Sequence, residues 1–139
     1  MIALEDLKGM TEQEVKTHIV EQYSGVEDSW DSPTPEQQAY VSDQLDSLDV
    51  LIAYESVGSW GCDSSSFFLF RNKETGKLYE LHASHCSCYG FEGQFSLEES
   101  VVEALRYRAS NGHVFGTGGY DDNEDGNTKA VNEYVLNEL

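Results

Sequence analysis

A chain of 139 residues, 39% hydrophobic and carrying 8 Tyr, 6 Phe and 2 Trp, has the means to build one core and is short for two. Eight Lys and Arg against 26 Asp and Glu leave a formal net charge of −18, which repels nucleic acid and anionic lipid and attracts basic surfaces. No apolar run approaches a membrane span, and Met1 to Met10, with Glu5 and Asp6, lack a basic-then-apolar leader, so the expectation is one cytoplasmic domain over 1–139.

Thr11-Glu12-Gln13-Glu14 is a capping box, and Val15, Ile19, Val20 and Tyr23 follow at helical spacing. That predicts an amphipathic helix over roughly 12–23, ended by Ser24-Gly25. An acidic loop with Trp30 follows. Thr34, Pro35 and Gln37 then open a second helix, whose apolar stripe is Tyr40, Val41, Leu45 and Leu48. Val50-Leu51-Ile52-Ala53-Tyr54 reads as a buried strand, and Gly58-Ser59-Trp60-Gly61-Cys62 as a turn or bulged strand end.

Phe67-Phe68-Leu69-Phe70 and Leu78-Tyr79-Glu80-Leu81-His82 pair through the Asn72 to Lys77 connection as a β-hairpin. A Cys/His/Gly/aromatic loop occupies 83–95. Ser96-Leu97-Glu98-Glu99 reads as a third capping box, opening a helix with Leu97, Val101, Leu105 and Arg108 on one side and closed by Asn111-Gly112. Residues 116–127 read as a flexible acidic loop before a short terminal helix from about Thr128, with Ala130, Val131, Tyr134 and Val135 apolar. The order predicts an α+β fold: a small, mostly antiparallel sheet of about three strands, with the central hairpin 67–82, packed with three to four helices.

The charge is unevenly laid out. No Lys or Arg stands between Thr17 and Phe70, yet Glu21, Glu27, Asp28, Asp31, Glu36, Asp43, Asp46, Asp49, Glu55 and Asp63 do. On the second helix Glu36, Asp43 and Asp46 fall away from Val41, Leu45 and Leu48. Side chains three or four apart on a helix lie about 5–6 Å from one another, and phosphates along a duplex strand rise by about 3.4 Å each. Folded carboxylates at such spacings can imitate a phosphate backbone. The candidate partner-binding residues are Glu27, Asp28, Asp31, Glu36, Asp43, Asp46 and Asp49, with Trp30 and Trp60 as apolar anchors. The expected partner is a basic, nucleic-acid-binding protein, with no direct binding of nucleic acid or membrane. The plainer alternative is an acidic surface that keeps the chain in solution.

His82, His85, Cys86 and Cys88 offer thiolate and imidazole, the donors zinc favours, and a zinc-stabilised loop is the second reading. Against it, the spacing is not that of a Cys-x-x-Cys knuckle, and Cys-x-Cys sends its sulfurs in different directions along an extended chain. The three cysteines, Cys62 included, are too few and odd in number for a disulfide framework. An enzymatic use would need a thiolate activated by a histidine, but adjacent His85 and Cys86 rarely face each other in a strand, and His113 is distant. No hydrolase elbow or phosphate-cradling loop is present, so no catalytic residue is assigned. Asp121-Asp122-Asn123-Glu124-Asp125-Gly126 matches the first half of a calcium-binding EF-hand loop. Asn132 stands where the bidentate glutamate belongs, which favours a solvated acidic turn.

Ser84-His85-Cys86-Ser87-Cys88-Tyr89-Gly90, preceded by the strand from Lys77 to His82 and followed by Glu92-Gly93-Gln94-Phe95, resembles a group of small bacteriophage and prophage proteins of uncharacterised function. The likeness covers roughly 50–110. It implies a phage origin and a place in the host cytoplasm, and it carries no reaction. Phage genomes encode many small acidic proteins that bind host factors, DNA mimics against restriction or CRISPR enzymes among them. The expectation is therefore an inhibitor of a basic host protein.

Overall fold

The computed structural model describes residues 1–27, 29–57, 64–85, 90–112, 115–116 and 126–139. Five strands form one sheet in the order β1 (Ile2–Glu5), β2 (Leu48–Ser56), β3 (Ser64–Asn72), β4 (Leu78–His85) and β5 (Glu98–Ser100). β1 runs parallel to β2, and the other pairs are antiparallel. The helices are α1 (Glu12–Tyr23), α2 (Pro35–Asp46), α3 (Val102–Ser110) and α4 (Gly126–Glu138). The fold is α+β, but the sheet has five strands where the sequence predicts about three.

The two additional strands escape local patterning. β1 is four residues long and acquires its strand partners only through parallel pairing with residues 52–55. β5 occupies the third capping box: Glu98, Glu99 and Ser100 pair with Glu80, Tyr79 and Leu78. The helix therefore starts later, at Val102, with no side-chain cap. Leu97 packs with the α1 and α2 side of the sheet and Leu105 with the other side, so they cannot share the helical stripe read from their spacing.

Where the signal is local, the elements form as predicted. Thr11 and Thr34 close reciprocal caps with Glu14 and Gln37. Asn72 Oδ1 accepts from the Glu74 and Thr75 amides, and Gly76 turns the hairpin at φ +74°. Asn111 caps α3, and Gly112 follows at φ +72°. The terminal helix is longer than predicted, starting at Gly126 and burying Val131 and Val135.

Two cores result, one on each face of the sheet. α1 and α2 cover the first, where Val15, Ile19, Tyr23, Val41 and Leu45 meet Val50, Ala53, Phe68, Phe70 and Leu81. α3 and α4 cover the second, where Leu105, Ala109, Val131 and Val135 meet Ile52, Tyr54, Phe67 and Leu69. The register shift between Val50 and Ile52 places Leu51 and Ile52 in the same core. Beside that shift, the Val50 amide donates to Glu12 Oε1 at 3.0 Å, which ties the start of α1 to the irregular strand.

The second face also carries a part-buried ion pair. Glu80 Oε2 accepts from Arg108 Nη2 at 2.5 Å, and Oε1 lies 3.0 Å from His82 Nε2. The Arg108 guanidinium sits 4.9 Å from the centre of the Phe115 ring. Burial alone would raise the Glu80 carboxyl, but bonds from His82, Arg108 and Ser100 outweigh it and hold the pKa at about 2. A depressed carboxyl stabilises the fold fully above its unfolded value of 4.5 and loses that contribution as pH falls towards about 2. With solvent screening allowed for, wild type should lose on the order of 2 kcal/mol more than Glu80→Gln between pH 5 and pH 2.5. Urea titrations at both pH values measure this, and parallel losses would refute it.

Candidate functional site: an acidic helical face with a cleft at its end

α1 and α2 present one layer to solvent, with the chain between them folded back at their joint. Gly25, at φ +107°, packs against Pro33. Gly93 donates its amide to the Tyr23 carbonyl at 3.1 Å. At this joint lies a cleft of about 300 Å³, lined by Tyr23, Glu36, Gln37, Tyr40, Val41 and Phe95 among others. A second groove of about 290 Å³ runs between the helices past Lys16, Glu21 and Asp46.

The predicted partner-binding acids do not form one uniform set. Glu27, Asp31, Glu36, Asp43 and Asp46 are exposed; Asp28 lies outside the described residues. Asp46 has cations nearby: Lys73 Nζ bonds its carbonyl at 3.3 Å, and Lys16, 3.6 Å from Glu12, lines the same groove. Asp49 is half-buried and pairs in register with Arg71. Strand alternation sends it to the face of the sheet opposite α2, because Leu48 and Val50 on either side face the α2 core. The bases absent from the sequence around these acids are thus returned by the fold at the C-terminal end of α2. Glu27, Asp31, Glu36 and Asp43 remain exposed, the last two on α2 and the first two on the chain that leads into it.

Glu55 leaves the surface altogether. It is 4% exposed, with His18 Nε2 at 2.9 and 2.8 Å from its two oxygens and the Tyr23 hydroxyl donating to Oε1 at 2.6 Å. The hydrogen bond to Glu55 is the main force raising the His18 pKa, opposed by burial and helped by the Glu55, Glu21 and Asp6 charges. Burial, then the Glu55 carboxylate, pushes the Tyr23 phenol far above its usual range, with Ser66 acting in the opposite sense. Tyr23 is therefore a neutral donor. Its ring stacks on Phe91 at 4.8 Å and meets Phe68 edge-on at 5.6 Å. The cluster fastens the end of α1, one wall of the cleft, to β2.

Of the candidate zinc donors, the two described histidines do not converge. His82 and His85 lie three residues apart on β4 and project to opposite faces of the sheet: His82 bonds Glu80, and His85 sits edge-on against Phe91 at 4.5 Å. Cys62, Cys86, Cys88, Trp60 and His113 lie outside the described residues, as do 121–125 of the acidic loop. Among the described residues no group of three or more His, Cys, Asp or Glu is placed to hold a metal ion. Nor is any helix among them long and apolar enough to cross a membrane.

The Glu92-Gly93-Gln94 segment, which sequence reading passed over as a site, shapes the cleft. Gln94 bonds both the amide and the carbonyl of Ser84, at 3.0 and 2.8 Å, and so pairs with β4 as a strand residue would. Tyr40, assigned by spacing to the apolar stripe, is instead 64% exposed on the cleft's rim. Comparison with known proteins brings no match, whether to a family model, a curated protein or a solved structure.

Proposed function

We propose that this chain is an acidic binding protein that covers the nucleic-acid-binding surface of a basic partner, with Glu27, Asp31, Glu36 and Asp43 standing in for phosphates. The setting that suits it is a phage-encoded inhibitor of a host enzyme that handles DNA or RNA. The observation that carries the reading is the exposure of these four carboxylates on α2 and on the chain leading into it, within a stretch from Thr17 to Phe70 that holds no Lys or Arg. Glu36, in the first turn of α2, also complements the helix dipole, so the face is held at little cost to stability.

Counterion release makes such binding steeply dependent on salt. Capture of host proteins on the immobilised chain should return basic, nucleic-acid-binding species, released by duplex DNA and by salt raised from about 50 to about 200 mM. Neutralising the four acids together (Glu27→Gln, Asp31→Asn, Glu36→Gln, Asp43→Asn) should abolish capture, while Glu133→Gln with Glu138→Gln on α4 should retain it. Partners that are acidic, indifferent to salt, or held equally by the neutralised chain would overturn the reading.

A further inference from the structure

The cleft at the α1–α2 joint differs in character from the carboxylate surface around it. Tyr23, Val41 and Phe95 supply apolar wall, and Glu36 supplies the carboxylate. Glu36, Tyr40 and Asp43 follow one another on α2 at i, i+4 and i+7, so an exposed aromatic ring stands between two carboxylates on one helical face. At 64% exposure Tyr40 contributes little to the core and much to the rim.

Size and charge together limit the occupant. A volume of about 300 Å³ lies at the lower end of ligand pockets and admits one long side chain, not a helix or a folded segment. Glu36 lines the cleft, and the backbone of the exposed Glu27 lies against Gly93 of its wall, so the charge at the cleft is negative. An anion is repelled there, and an apolar side chain would strip water from Glu36 with no charge in return. A cation with a flat, weakly hydrated head meets every requirement. Its aliphatic stem would lie along Val41 and Phe95, its plane would stack on Tyr40, and its paired N–H groups would meet Glu36.

From this we infer that the cleft takes an arginine side chain of the partner, in preference to lysine, whose ammonium is more strongly hydrated and lacks the planar fork. The inference rests on the acidic-face reading and names the point at which the basic surface is gripped.

Blocked hexa-arginine and hexa-lysine peptides, titrated into the full chain at one ionic strength, test the two ideas separately. Both peptides should bind and weaken with salt, hexa-arginine more tightly by about two- to fivefold, the range an exposed cation–π contact supports. Tyr40→Ala should bring hexa-arginine down to the hexa-lysine level, and Tyr40→Phe should keep the difference. Tyr40 is on the surface, so melting curves of both variants should overlay that of wild type. If neither peptide binds in a salt-dependent way, the acidic-face reading falls and the arginine site with it. If both bind equally and Tyr40→Ala changes nothing, the acidic face stands and the arginine site is overturned.

Discussion

Replacing Glu55 with alanine should lower the unfolding free energy by about 3–5 kcal/mol, the range seen when one partner of a buried charge pair is removed. Two groups lose their acceptor at once, the half-buried His18 on the second turn of α1 and the buried Tyr23 at its end. His18 keeps 21% of its side chain exposed and can shed its proton, which places the effect towards the lower end. Tyr23→Phe is the milder counterpart: it removes one hydrogen bond to a charged group, about 1.5–3 kcal/mol, and keeps the ring on Phe91. Urea midpoints at neutral pH should rank wild type above Tyr23→Phe above Glu55→Ala. A Glu55→Ala chain within about 1 kcal/mol of wild type would show that the cluster is not holding α1 to the sheet.

The same cluster sets a pH dependence of the opposite sign to that of Glu80. The folded His18 pKa is raised above 6.5, so its contribution is complete below that value and is lost as pH rises through the raised one. Wild type should therefore lose more stability than Glu55→Ala on passing from pH 6 into the alkaline range. An NMR titration placing His18 below 6.5 in the folded chain would contradict the geometry.

Glu55 also shows where sequence reading stops. Counted along the chain, it belongs to a run of unopposed acids; in space its partners come from 37 and 32 residues away. One clue was present: helices precede and follow the strands, and if they cover both faces, a polar residue in a central strand must be buried with partners. Nothing local says that α1 and α2 take one face and α3 and α4 the other. The same reasoning explains Asp49, exposed by composition but facing Arg71 across the ladder. The capping boxes at Thr11 and Thr34 were legible because their bonds span three residues. The sequence at Ser96 has the same form, yet pairing of 98–100 with β4 takes its backbone first. Tyr40 has helical spacing suited to a core stripe, and only the packing of Val41 and Leu45 turns its ring outward.

Gly93 gives the sharpest test of how the cleft is built. A Cβ at this position would lie 2.2 Å from the Glu27 amide nitrogen and 2.7 Å from the Val26 carbonyl carbon, and the residue's φ is +73°. Both neighbours are backbone, so no rotamer change relieves the overlap. The left-handed conformation costs about 1–2 kcal/mol for an alanine, and forcing tightly packed chain apart adds about 1–3 kcal/mol. Gly93→Ala should therefore destabilise the protein by about 2–5 kcal/mol. Alanine at Gly76 is the control: it shares the positive φ, at +74°, but its Cβ meets nothing within 4 Å, so it should bear only the conformational part. The difference between the two variants in urea isolates the close approach of 93 to 26–27. That approach holds the chain carrying Glu27 beside Tyr23 and Phe95, so the surviving folded Gly93→Ala protein should also lose its preference for hexa-arginine over hexa-lysine. Equal stability losses at the two glycines would show that the joint of α1 and α2 yields easily, and that the cleft is not held in shape by this contact.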